Sequence, residues 1–277
     1  MSQAQQDRLK GIRLGLIGAG NMGGALLRGL LAAGRVKPPD LVFHDPDPGR
    51  QEALKNLGIA AVVNNAEVMH SPVVVLAVKP QILGSVLEEI RDCAEPRHLV
   101  ISIAAGVPLA VLEEALPESR VIRAMPNTPL MVQAGMTALS PGTRATPEDV
   151  SLALDLFRAL GRAEVIDETH LDAVTALSGS GPAFVAVFLE ALADGAVKMG
   201  LSRTLALEFA AQTLLGTARL LLEKNLHPAL LKDLVASPGG TTIHGLHALE
   251  QGAFRAAVMG AIEAAAWRAQ DLAGMGK

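Results

Sequence analysis

The spacing of apolar positions changes character part-way along this chain. Up to about residue 167, short apolar runs recur: RLGLIG ending at Gly18, LVFHD at 41–45, PVVVLAV at 72–78, HLVISIA at 98–104 and RVIRAM at 120–125. Helical stretches separate them, at Asn21–Ala33, Pro48–Leu57, Gln81–Cys93 and Leu109–Leu116. Continuous apolar strands spaced by helices predict a parallel sheet covered on both faces, the doubly wound α/β arrangement. From about residue 168 the strands disappear. Helices are expected at about 169–177, 182–199, 203–223, 228–235, 242–250 and 252–272, with breaks at SGSGP, MGLSR, NLHP and SPGG. The pattern predicts two domains, an α/β domain over residues 1–167 and an all-helical domain over 168–277.

The first strand runs into Gly18-Ala19-Gly20-Asn21-Met22-Gly23, a G-x-G-x-x-G that opens a helix. In that setting Gly18 permits the tight turn, Gly20 lets backbone approach a pyrophosphate, and Gly23 allows helix and strand to pack closely. The free N–H groups of the helix start then face the phosphates. This marks the α/β half as a Rossmann-type domain for NADH or NADPH. An acidic residue at the end of the second strand takes the ribose 2′-OH in such domains, and Asp45 stands there. A carboxylate repels a 2′-phosphate, which leans the preference to NADH; His44 and Arg50 pull the other way. Asp45 also reads as a cap or turn residue before Pro46. AVKP (77–80) and SIAAG (102–106) lie at carboxyl ends of strands, where ligands bind in open α/β sheets. Lys79 is a candidate cofactor contact or a solvated lysine at a helix start. MPNTP (125–129) makes a rigid loop beside the same edge.

Composition narrows the classes. The 277 residues are 50% hydrophobic and 19% charged, so a large core is available and disorder is not expected. Aromatics are 3% and the net charge is −4, which argues against nucleic-acid binding, for which stacking faces and a basic surface are needed. The single Cys93 excludes an intrachain disulfide and fits the cytoplasm. The N-terminal MSQAQQDRLK has no apolar signal core. GPAFVAVFLEALADGAVKMG is interrupted by Glu190, Asp194 and Lys198, and is expected to be a buried helix rather than a membrane span.

The helical half must supply the substrate chemistry. Alcohol dehydrogenases need a general base. Hydroxyacid dehydrogenases of similar build carry a lysine just after a Gly-x-Gly turn, but after SGSGP no lysine comes before Lys198. His170, His227, His244 and His247 read as surface or capping residues. His244 and His247 lack a third ligand of fitting spacing, so no metal site is expected. SPGGTT (237–242) breaks the helical pattern abruptly. Glycines before a helix start leave N–H groups for a small carboxylate, with Ser237, Thr241 and Thr242 beside them. This suits reduction of a C=N bond, whose nitrogen is protonated from water. A plain helix N-cap after a Pro-Gly turn is the alternative.

The segments GLIGAGNMG, AVKPQ, SIAAGV, VIRAMPNTP, LSGSGPAF, ALADGAVKMGL and LKDLVASPGGTTIHGLHALEQGAFRAAV, in this order, resemble pyrroline-5-carboxylate reductases over nearly the whole chain. The resemblance implies NAD(P)H-dependent reduction of 1-pyrroline-5-carboxylate to L-proline, the last step of proline biosynthesis. It implies cofactor contacts at Ile17, Gly18, Ala19, Gly20, Asn21, Met22, Asn64, Ala77, Val78, Lys79, Pro80, Ile103, Ala104 and Ala105. It implies substrate contacts at Glu168 and across Ser237, Gly240, Thr241 and Thr242, with Thr242 beside the ring nitrogen as the catalytic group. Family members often carry Ser where Asp45 stands. The resemblance also implies a helical dimerisation domain, with homodimers that stack into decamers. The competing expectations are a reductase of six-membered cyclic imines, a hydroxyacid dehydrogenase, and a non-catalytic dinucleotide sensor.

Overall fold

The computed structural model describes residues 9–274, and side chains up to residue 272; most of the polar N-terminal stretch lies outside the described residues. Two compact units emerge, one running to Ser180 together with the chain from Ala265, the other Gly181–Ala264. The division expected at 167/168 falls inside the first unit. Residues just beyond it are tied to that unit's sheet: Asn127 Nδ2 donates to the Ser178 carbonyl at 3.0 Å, and Arg123 pairs with Glu168 at 2.8 Å.

The first unit holds one eight-stranded sheet: β1 (Leu14–Ile17), β2 (Leu41–His44), β3 (Ala60–Ala61), β4 (Val73–Leu76), β5 (Leu99–Ser102), β6 (Arg120–Met125), β7 (Gly135–Pro141) and β8 (Gly161–Val165). Their spatial order is β3-β2-β1-β4-β5-β6-β7-β8. The strands from β3 to β6 are parallel, as the apolar runs predict. The expectation of an all-parallel sheet fails at one edge, where β7 runs antiparallel to β6. The link between Met125 and Gly135 is too short for a crossover helix. It turns back instead through a tight helical turn at Thr128–Val132, closed by Gln133 at φ +57°.

Strand alternation sends apolar side chains to both faces. Leu14, Leu16 and Val75 join one buried cluster, beneath α1 (Asn21–Ala32). Ile17, Val74 and Leu76 join the other with Leu83, Leu87 and Ile90 of a later helix. The helices of this unit continue as α2 (Pro48–Lys55), α3 (Asn65–Val68), α4 (Pro80–Arg91), α5 (Leu109–Ala115), α6 (Pro147–Arg158) and α7 (Leu171–Val174). The sequence reading passes over β7, α6 and β8. For α6 a signal exists: Thr146 and Asp149 form a capping box ahead of an apolar run, with Pro147 in the first turn.

His98, just ahead of β5, is fully buried, and its Nδ1 accepts from the Glu95 N–H at 2.9 Å. Burial, and then the Arg97 charge, hold its pKa below the ordinary histidine value. On acidification the unfolded chain therefore takes up this proton first, and stability falls as pH drops below about 6.5. We expect Tm to decrease from about pH 7 to about pH 5 more steeply than in His98→Gln, which has no titratable ring. Equal slopes in the two proteins would remove His98 as the cause.

The second unit contains α8 (Gly181–Lys198), α9 (Arg203–Lys224), α10 (Pro228–Leu234) and α11 (Thr241–Gln251); α12 (Phe254–Gly274) begins there. Here the expectation of a buried helix is overturned. In α8 only Ala193 is buried, and in α9 only Ala206 and Ala210. Val187, Phe209 and Met259 stand 66%, 64% and 71% exposed. Among the described residues of the chain no second layer covers these faces. Two helical stretches, Glu168–Lys198 and Arg203–Lys224, are long and apolar enough to cross a membrane. Apolar area of this extent marks a surface that another body covers.

Candidate active site

The glycines after β1 take three distinct places. Gly18 has φ +94°, where a side chain is strained, and a Cβ there would also meet the Ala77 carbonyl at 2.9 Å. Gly23 lies so close to the turn that a Cβ would sit 2.2 Å from the Gly18 carbonyl oxygen. Gly20 is the N-cap of α1 and makes no side-chain cap; a Cβ there would meet only Arg50, at 4.0 Å. The start of α1 therefore offers uncapped N–H groups beside open space, which fits the pyrophosphate of a dinucleotide.

That space is a cleft of about 860 Å³ along the carboxyl ends of β1, β2, β4 and β5. Of the residues expected around a cofactor, Ile17, Gly18, Gly20, Asn21, Met22, Asp45, Ala77, Val78, Lys79, Pro80, Ile103, Ala104 and Ala105 line it. Three do not. Gly23 packs inside. Ala19 donates its N–H to Asp45 Oδ2 at 2.7 Å. Asn64 caps α3, accepting from the Glu67 N–H at 2.9 Å. Its neighbour Asn65 lines the cleft and donates to Glu89 Oε2 at 2.5 Å. With Glu89 come Ile82, Ser85 and Val86, which the sequence reading omits. Their spacing by three and four marks them as one face of α4, a signal that was available.

Asp45 is 2% exposed, and both its carboxylate oxygens are engaged. Oδ2 takes the Ala19 N–H, and Oδ1 takes the Asp47 N–H at 2.9 Å. Arg50 Nη1 lies 3.4 Å from Oδ2, with its side chain half exposed on the cleft. The cap of α2 is Asp47, which accepts from the Arg50 N–H. Asp45 thus staples the glycine loop to the end of β2 and holds the one arginine that borders the cleft among the described residues.

Glu168 is fixed from below. Its Oε1 accepts from Arg123 Nη1 at 2.8 Å and from the Leu109 N–H at 2.7 Å. Arg123 is paired with Ser102 in the sheet register, next to the cleft-lining Ile103. Its neighbour two positions back, Val121, is buried in the cluster with Leu109 and Leu112. Alternation places Arg123 on that same apolar face, where a cation requires a partner.

In the second unit, the Ser237 carbonyl accepts from the Gly240 N–H at 3.0 Å, closing a turn in which Gly239 has φ +66°. A Cβ on Gly240 would lie 2.2 Å from Ser237 Oγ. Gly240 is the N-cap of α11 and supplies no side-chain cap, so α11, like α1, opens with exposed donors. Thr242 is half-buried in its first turn. His244 Nδ1 lies 2.9 Å from the Gly240 carbonyl, a local contact on the helix.

Residues 168–272 match the family model for pyrroline-5-carboxylate reductase dimerisation, and residues 13–106 match that for NADP oxidoreductase, coenzyme F420-dependent. The chain is 47% identical to pyrroline-5-carboxylate reductase of Methanosarcina acetivorans, over 94% of this chain and 97% of that protein. It is also 47% identical to the Escherichia coli K12 enzyme of that name, over 90% and 94%. Among solved structures, Plasmodium falciparum pyrroline carboxylate reductase with NADP bound superposes with a TM-score of 0.87 at 35% identity, covering 95% of this chain and 98% of that one. The Coxiella burnetii pyrroline-5-carboxylate reductase gives 0.88 at 36%, over 94% and 98%. With the glycine cradle, the cleft and the sequence kinship in agreement, this chain belongs to the pyrroline-5-carboxylate reductase family.

Proposed function

We infer that this protein reduces 1-pyrroline-5-carboxylate to L-proline with NADH or NADPH, as an oxidoreductase of proline biosynthesis. The observation that carries the reading is the kinship over 94% of the chain with a reductase of that name. When bound, the cofactor supplies hydride to the imine carbon of the ring. The chain's own residues do the rest. Gly18, Gly20 and the first N–H groups of α1 bind the pyrophosphate. The N–H groups of Thr241 and Thr242, with the Ser237 and Thr241 hydroxyls, hold the substrate carboxylate at the positive end of α11. Thr242 hydrogen-bonds the ring nitrogen, and Glu168 approaches the same ring. No strong acid is needed, because an imine nitrogen draws its proton from water. Catalysis then rests on orientation, which alone is worth several kcal/mol.

The chain self-associates through its helical part. We assign the exposed faces of α8 and α9 to a second copy rather than to lipid, and the full assembly to a decamer built from five dimers. Native mass measurement tests this, and a monomer would exclude both. The single Cys93 and the kinship with bacterial enzymes favour the cytoplasm.

The decisive assay follows loss of reduced-nicotinamide absorbance with 1-pyrroline-5-carboxylate, NADH and NADPH side by side. We assign Asp45 as the brake on NADPH, since it neutralises Arg50 at the cleft edge. Asp45→Ser should shift the ratio of kcat/KM toward NADPH by about tenfold, the scale of one charged contact. Both cofactors should weaken somewhat, because Ala19 also loses its acceptor. A ratio that stays put removes Asp45 from cofactor choice.

A further inference from the structure

We propose that Arg123 is a positioning residue of the active site, which fixes the Glu168 carboxylate so that its second oxygen faces the positive charge of the cyclic iminium. This rests on the placing of Glu168 beside the substrate, and it adds the part that makes such a contact directional. Arg123 is buried on the face of the sheet shared with Val121, Leu109 and Leu112. No packing demand calls for a cation there, and an apolar side chain would fill the same layer. The guanidinium instead reaches Glu168 Oε1 at 2.8 Å, and the Leu109 N–H meets that same oxygen at 2.7 Å. Leu109 is the first residue of α5, so this N–H belongs to the positive end of the helix. Both donors converge on Oε1. Among the described residues Oε2 makes no hydrogen bond or ion pair, and the Glu168 side chain is 31% exposed, against 7% for Arg123. One oxygen is thus clamped, while the other stays without a protein partner among the described residues.

The placement matches the cleft. Arg123 is in register with Ser102, and Ile103, Ala104 and Ala105 form the adjoining cleft wall. The segment from that wall leads directly into Leu109. The clamp is therefore built from the middle of β6 and the start of α5, next to the cleft wall at Ile103–Ala105. A carboxylate held this way presents its charge to the iminium from one direction, which a freely rotating glutamate does not.

The test compares Arg123→Met, Arg123→Lys, Glu168→Gln and the double variant Arg123→Met/Glu168→Gln. Steady-state constants are measured for the imine, and the Kd of NAD+ or NADP+ is measured by calorimetry. Arg123→Met should raise KM for the imine about tenfold, on the scale of one charge-assisted hydrogen bond, with a smaller change in kcat. Cofactor Kd should stay within about twofold, since the pyrophosphate cradle is untouched. Lysine keeps the charge but loses the planar fork, so Arg123→Lys should raise KM by about threefold. In the Glu168→Gln background, Arg123→Met should add nothing further, because it acts through that carboxylate. Additive losses, or a cofactor Kd that weakens in step with KM, would show a purely structural role and overturn the proposal. If Arg123→Met does not fold, Arg123→Lys decides alone, and an unchanged KM overturns it. If Glu168→Gln itself leaves KM unchanged, the reading of Glu168 fails first.

Discussion

Gly23→Ala is expected to weaken cofactor binding at least about tenfold and to lower Tm by several degrees. The added Cβ would lie 2.2 Å from the Gly18 carbonyl oxygen and 2.9 Å from the Ala77 Cβ. Neither neighbour yields cheaply, since one is backbone in a strained turn and the other closes β4. Helix α1 must move away from the loop, at the cost of about 1–3 kcal/mol typical of overpacking. The same displacement carries the uncapped N–H groups out of reach of the pyrophosphate. Gly20→Ala is the control. At φ −63° its Cβ is unstrained and meets nothing nearer than Arg50 at 4.0 Å, yet it intrudes on the cleft. It should weaken cofactor binding with Tm nearly unchanged. Calorimetric titration and thermal melts on both variants read this directly. Unaltered cofactor affinity in Gly23→Ala would mean that the pyrophosphate lies elsewhere.

Thr242→Ala is expected to lower kcat about tenfold or more, the scale of one hydrogen bond to the reacting group. The substitution is unusually clean. Thr242 lies in the first turn of α11, the cap is Gly240 rather than a side chain, and alanine is the better helix former. Tm should therefore hold or rise slightly while turnover falls. Thr242→Ser keeps the hydroxyl and should retain most of the activity. If Thr242→Ala turns over normally, the ring nitrogen finds its partner elsewhere and Thr242 serves only the helix start.

The parallel core of the sheet was legible because burial on both faces forces unbroken apolar runs, as in Val73–Leu76 and Leu99–Ser102. The glycine cradle was legible because backbone conformation and close approach admit no other residue at Gly18 and Gly23. The antiparallel edge was not. β7 carries Thr137 and Ser140, so its apolar pattern is interrupted, and its direction follows from a short return after Met125. The expected burial of α8 fails for a related reason. Composition reports that a helix must be covered, but not whether its own chain or a second copy covers it.

The sequence by itself determined the element types along the parallel core, the dinucleotide motif and the family, because local conformation and periodicity reside in consecutive residues. Only the tertiary structure decided which of two adjacent asparagines lines the cleft, that Asp45 staples the loop while restraining Arg50, and that Arg123 clamps one oxygen of Glu168. Each of these joins side chains distant along the chain, and their meeting is set by sheet order and strand register, which no local pattern encodes.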